Sequence, residues 1–168
     1  MRFPNPVREI RTIDRLLKGS EAQARRMGDE IPGAEHLLLS ALELPDGTAR
    51  AAFTAVGADP DALLPAVAEA HAEALRAVGI AVDAASLGDP GPLEPVTSGP
   101  TRSDPSQQAA FQEAVRLSKL ERPAELRGAH VVIAVAGMEH GTAPRALAAM
   151  GVDRDALVAA ARAALASG

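Results

Sequence analysis

The stretch Gly33-Ala34-Glu35-His36-Leu37-Leu38-Leu39 returns 94 residues later as Arg127-Gly128-Ala129-His130-Val131-Val132-Ile133. The same offset aligns His36 with His130, Gly47-Thr48-Ala49 with Gly141-Thr142-Ala143, Gly57 with Gly151 and Asp61-Ala62-Leu63 with Asp155-Ala156-Leu157, without a gap. Over positions 36–63, 11 of 28 residues are identical, and glycines and aspartates share in the matches. A fixed repeat of this kind marks a duplicated supersecondary unit. The chain is therefore read as two copies of one helical unit, and this decides the fold class before any single helix is assigned.

Composition narrows the class further. Of 168 residues, 47% are apolar, with three Phe and no Trp or Tyr. Most of the apolar residues are Ala, Leu and Val, which suit closely packed helices, whereas alternating β-branched and aromatic runs are nearly absent. An all-α domain follows. Cysteine is absent, which excludes disulfides and thiolate metal sites. No apolar run reaches the ~20 residues that span a bilayer, and the N-terminus has no secretory pattern. A cytoplasmic protein without membrane contact is expected. The net charge of -5 argues against general binding to nucleic acid.

In chain order, prolines at positions 4 and 6 are expected to keep residues 1–9 irregular. Apolar residues at Ile10, Ile13, Leu16, Leu17, Ala24 and Met27 have helical spacing, and Gly28 ends that helix as a C′ residue. Residues 1–28 hold seven Arg/Lys against three Asp/Glu. This basic face reads as a solvated helix surface or, less simply, as an anion-recognition surface. Further helices are expected from Pro32 through Leu42, over Thr48–Val56, and from Pro60, capped by Asp59, to about Val78. The first repeat thus covers 10–78. Breaker-rich residues 79–104 form a linker. The second repeat, 105–166, restarts at Asp104-Pro105, with helices near 105–120, 128–138, 142–150 and 154–166. The two repeats make about eight helices in one domain, 1–168, related by a pseudo-twofold axis, with Leu37, Leu38, Val131 and Val132 in a shared core.

Candidate chemistry is sparse. Glu35 lies in the first turn of a helix, where a carboxylate meets the positive end of the macrodipole. His36 recurs as His130, which favours a packing and hydrogen-bonding role at a helix start over a ligand role. His71 and His140 have no i+4 histidine partner and no HExxH pattern, so no metal site is expected. No phosphate-cradling loop or nucleophile elbow is present, and no cofactor is implied. A binding module rather than an enzyme follows.

These residues carry a family likeness. A unit of about 70 residues with a Gly-x-Glu-His-Leu-Leu-Leu helix start, an acidic-Gly-Thr turn and an apolar-Gly hinge before a capped last helix, present twice, resembles the Clp N-terminal (Clp repeat) domain of Clp-family AAA+ unfoldases. The resemblance covers about residues 10–166. It implies a pseudo-twofold bundle of eight helices that receives substrates or adaptor proteins in front of ATPase modules. No ATPase module follows here, so the resemblance is to the stand-alone Clp N-domain proteins of actinobacteria, or to the receptor part of a larger unfoldase. It also implies roles as receptor, decoy or sensor, with Clp unfoldase components, phosphoarginine-marked proteins or cyclic-peptide antibiotics as partners.

In the family, the glutamate of this motif receives the guanidinium of a phosphorylated arginine while Thr, Arg and backbone groups hold the phosphate. Carried onto this chain, that gives Glu35, His36, Arg11 and Thr12 as ligand-binding residues. Ala129 replaces the glutamate in the second repeat, and Ile10-Arg11-Thr12 stands where the family has Phe-Thr-x-x-Ala. One such site is expected, in the first repeat. The other reading is a structural or regulatory dimerisation domain that kept the fold and lost the pocket.

Overall fold

The computed structural model describes residues 5–80 and 103–168. They form eight α-helices: α1 (Pro6–Arg26), α2 (Ala34–Leu42), α3 (Thr48–Ala55), α4 (Leu63–Ala77), α5 (Pro105–Lys119), α6 (Gly128–Ala136), α7 (Thr142–Ala149) and α8 (Arg154–Ala166). A 3-10 turn, Pro60–Ala62, leads into α4. There is no strand among the described residues. The starts of α2 and α6, of α3 and α7, and of the Pro60 turn and α8 each differ by 94, the offset of the sequence repeat. Most of the expected 79–104 linker lies outside the described residues.

The first helix begins earlier than the prolines suggested. Asn5 caps it by accepting from the Val7 amide at 3.1 Å, and Pro6 occupies the first turn, where its missing N–H costs no bond. Ile10, expected on the apolar face, is 66% exposed. At the other end Gly28 takes φ 81°, and the Gly28 and Asp29 amides donate to the carbonyls of Arg25 and Ala24. This is a Schellman closure, and it fixes where Asp29 leaves the helix. Asp104 and Asp153 cap α5 and α8.

The repeats are interlocked. Helix α3 of the first packs on α8 of the second, and α4 of the first packs on α7 of the second, while α2 and α6 meet between them. This reciprocal exchange has twofold character and buries one continuous core. Leu37, Leu38, Val131 and Val132 are all within 1% of complete burial in it, beside Phe53, Leu63, Leu147 and Leu157. The start of α6 approaches α2 and α3 so closely that a Cβ on Gly128 would lie 2.9 Å from the Ala49 Cβ and 3.0 Å from the Ala41 carbonyl oxygen. Free helix-start amides are met across the repeat boundary. Gly128 N–H donates to Asp46 (3.1 Å), Ala129 N–H to Thr48 Oγ1 (2.9 Å), and Ala34 N–H to Ser106 Oγ (3.0 Å).

Candidate functional site: a carboxylate and imidazole cluster in the first repeat

The first turn of α2 carries Glu35 and His36, the Schellman turn after α1 supplies Asp29, and α4 supplies His71. His71 stands between two carboxylates. Its Nε2 lies 3.1 Å from Glu35 Oε1 and its Nδ1 lies 3.2 Å from Asp29 Oδ2. With an acceptor facing each nitrogen, the ring is held as imidazolium. Asp29 first, then Glu35, pushes the His71 pKa up to about 9 against the opposing effect of burial. Burial acts to raise the pKa of each carboxyl, but the histidines outweigh it, so the Glu35 pKa lies below its ordinary value and that of Asp29 well below.

His36 has a different task. Its Nδ1 accepts from the Gly33 amide at 2.9 Å, so the ring closes its own helix start and its proton resides on Nε2. That Nε2 is 3.1 Å from Asp29 Oδ2. Neither contact to Asp29 Oδ2 has hydrogen-bond alignment; that of His71 is an ion pair, and that of His36 is a polar contact of its Nε2–H with the carboxylate. His130 repeats the arrangement in the second copy. Its Nδ1 accepts from Arg127 N–H at 3.0 Å and its Nε2 lies 3.2 Å from Glu121 Oε2. Both rings are almost fully buried.

The structure separates the residues grouped from the sequence. Glu35 and His36 are adjacent in the cluster and only 8% and 1% exposed. Arg11 is exposed on α1, and Thr12 Oγ1 bonds the Arg8 carbonyl of its own helix. Among the described residues neither pairs with Glu35. What the sequence missed was His71 and Asp29. A further acid, Asp104, approaches from the second repeat: a Cβ placed on Gly33 would lie 2.7 Å from Glu35 Oε2 and 2.9 Å from Asp104 Oδ2. Glycine at position 33 therefore leaves room for two carboxylates.

The expectation of no metal site rested on spacing within one helix, whereas the fold brings possible ligand atoms together from separate segments. Asp29, His36 and His71 each place a ligand atom within 4.8 Å of the others, joined by tertiary contacts between three segments. The donor chemistry nonetheless suits a proton better than a metal ion. A metal-bound imidazole ordinarily donates from its other nitrogen, whereas the other nitrogen of His36 accepts from Gly33. Metal at Nε2 would break that helix closure and would also require His71 to lose a proton held by two acids. The cluster holds one imidazolium between two carboxylates, and it contains no nucleophile–base pair.

Two helical repeats that exchange their last helices around a helix start closed by a histidine in each copy define a double-repeat α-helical domain. Residues 11–87 match the family model of the Clp repeat (R) N-terminal domain. The chain is 36% identical over 74 residues to the chloroplastic chaperone protein ClpC1 of Oryza sativa subsp. japonica, a match covering 44% of this chain and 8% of that protein. The fold is similar to the crystal structure of the N-terminal domain of the caseinolytic protease associated chaperone ClpD from Arabidopsis thaliana, with TM-score 0.62 and 21% identity, covering 95% of this chain and 98% of that one. Residues 11–87 thus resemble a Clp repeat, and the chain shares the fold of a Clp chaperone N-terminal domain. Among its described residues no helix is long and apolar enough to cross a membrane.

Proposed function

We propose that this chain is a non-catalytic receiving module of a Clp-type chaperone or protease system, binding substrate or adaptor polypeptides. The observation that carries this reading is the Clp repeat match over residues 11–87 together with a fold shared along nearly the whole length of a Clp chaperone N-terminal domain. The absence of a nucleophile–base pair from the cluster around His71 supports the non-catalytic part.

For the ligand, the reading is a guanidinium, as in phosphoarginine, placed on Glu35. Glu35, Asp29 and Asp104 make this corner acidic, and a carboxylate accepts a guanidinium through charge-assisted bonds. In the free protein, His71 already occupies Glu35. A guanidinium must displace it, so His71 acts as the internal competitor. Calorimetry with a phosphoarginine peptide tests this. Wild type should bind with a stoichiometry of one, Glu35→Gln should abolish binding, and His71→Gln should strengthen it. If neither wild type nor His71→Gln binds, the guanidinium reading fails.

A second reading has its own observation. Glu35 is buried and already neutralised by His71, as expected of a domain that kept the Clp N fold for structural or regulatory association and lost its pocket. A pull-down that retains only the protein itself, and neither substrates nor Clp components, would favour it. Retained cyclic-peptide antibiotics or unfoldase subunits would favour the receptor, decoy or sensor roles.

A further inference from the structure

The offset of 94 that superposes the repeats also shows how far they have diverged at one place. Where the first repeat has Asp29, Glu35 and His71, the second has Pro123, Ala129 and Leu165. Where the first has Gly28, Gly33 and Ala68, the second has Arg122, Arg127 and Arg162. Two acids and an imidazole are lost and three guanidinium groups are gained. These three arginines line one groove of about 400 Å³, with Leu165 and Pro123 giving it an apolar part. We propose that this groove in the second repeat binds an oxyanion-bearing peptide, taking its carboxylate or phosphorylated side chains on Arg122 and Arg162 beside a braced Arg127.

Arg127 is preorganised. Its Nη2 donates to the Leu165 carbonyl at 2.9 Å and lies 3.3 Å from Glu121 Oε2, so the guanidinium is tied to both α8 and the loop after α5. Arg122 and Arg162 are exposed. Arg122 Nη1 donates only to the Lys119 and Glu121 carbonyls, and no acid pairs with Arg122 or Arg162 among the described residues. Two acids line the groove as well, and both are engaged: Glu121 with Arg127 and His130, and Glu125 with Arg8 at 3.0 Å. Counting Arg8, the surface carries four arginines against two glutamates, an excess of two positive charges on a chain of net charge -5.

The chemistry favours this ligand class. A guanidinium presents a planar fork of donors that matches the paired oxygens of carboxylate or phosphate, and it keeps its charge at any working pH. A groove of this volume accommodates several atoms beyond the anion itself, and Leu165 and Pro123 offer contact to an adjoining aliphatic stem. A nucleic acid would meet the unfavourable field of the acidic remainder. That the ligand is a peptide rests on the receptor reading given above; the preference for oxyanions rests on the groove alone.

The test uses fluorescent peptides of one backbone in three forms: glutamate-rich, phosphoserine-bearing, and neutral with Gln and Ser. Binding is read by anisotropy and located by amide shifts of residues 121–127 and 162–166. The glutamate-rich or the phosphoserine form should bind, the neutral form should bind at least ~10-fold more weakly, and added salt should weaken the complex. Whichever charged form binds better identifies the source of the oxyanion. Arg162→Glu and Arg122→Glu, both on exposed side chains, should each lower affinity by roughly tenfold without changing the melting temperature. Equal binding of all three peptides, or binding indifferent to both reversals, overturns the groove while leaving the receptor reading intact. If no peptide of any kind binds, including the phosphoarginine peptide, both fall together.

Discussion

His71 Nε2 and Glu35 Oε1 lie 3.1 Å apart across 36 residues of sequence, joining the last helix of the first repeat to the first turn of α2. The pair is partly shielded, at 15% and 11% side-chain exposure, and Asp29 completes the clamp from the other side of the ring. Its effect on stability has a definite sign in pH. The folded-state pKa of His71 is raised to about 9, so its contribution is full below the ordinary histidine value and is lost as pH rises through 9.

Thermal stability should therefore fall on the alkaline side between about pH 6.5 and 9, by up to about 3 kcal/mol for this one group. His71→Gln should flatten that limb. On the acid side Glu35 and Asp29, with lowered folded values, contribute above the ordinary carboxyl range and lose their contribution as pH falls. Melts from pH 3 to 10 on wild type and His71→Gln check both limbs, with unchanged alkaline slopes in the variant contradicting the clamp.

His130 should behave oppositely to His71. Burial, ahead of the opposing Glu121, pushes its pKa down. Its contribution is then present above the ordinary histidine value and erodes as pH drops below it. Two-dimensional NMR of the ring protons should show His71 still protonated at pH 8 and His130 neutral there. The reverse order would refute the assignment.

The interlocked core should melt as one unit. Leu38 is 1% exposed between the repeats, and Leu38→Ala should cost about 2–5 kcal/mol, lowering the melting temperature sharply. Because α3 packs on α8 and α4 on α7, calorimetry should show one transition for both halves. Two separable transitions would count against the exchange of helices.

Gly19 marks the crossing of α1 over α2. A Cβ there would lie 2.2 Å from Ser40 Oγ and 3.1 Å from Ser40 Cβ, while Ser40 Oγ donates to the Leu16 carbonyl at 2.9 Å. Gly19→Ala should destabilise by about 1–3 kcal/mol although alanine is the better helix former. Ser40→Ala in the same chain should recover part of that loss. A stabilising Gly19→Ala, measured by urea unfolding, would show that the helices have room to separate.

Asp46 ties the repeats through a polar contact. It accepts from Gly128 N–H at the start of α6, 82 residues away, and Asp46→Ala should cost about 1–2 kcal/mol as a lost helix cap does. Asp46→Asn should retain part of this, since the amide oxygen still accepts, and denaturant melts of the two variants give the comparison.

The duplication, the helical class and most helix limits are legible along the chain, because these depend on local information. The offset of 94 reproduces the starts of the second, third and last helices of each repeat to the residue, the last counted from the Pro60 turn, and the caps at Asp59, Asp104 and Asp153 act within a few positions of themselves. The start of α1 was legible too, in Asn5-Pro6, had proline been weighed as a first-turn residue and not as a breaker. Glu35 and His36 were visible as a helix-start pair, and the Gly33 to His36 bond is the local reason.

The meeting of residues distant along the chain was fixed by packing. Nothing local to His71 or Asp29 marks them as partners; only the fold of α4 over the start of α2 puts them 3.2 Å apart, with Glu35 3.1 Å from the same ring. The basic groove has the same origin, since Arg122, Arg127 and Arg162 are scattered along 41 positions and become one surface when α8 lies beside the start of α6. Coulomb attraction and desolvation act through distance in space, and the packing of each repeat's last helix on the helix start of that same repeat set those distances.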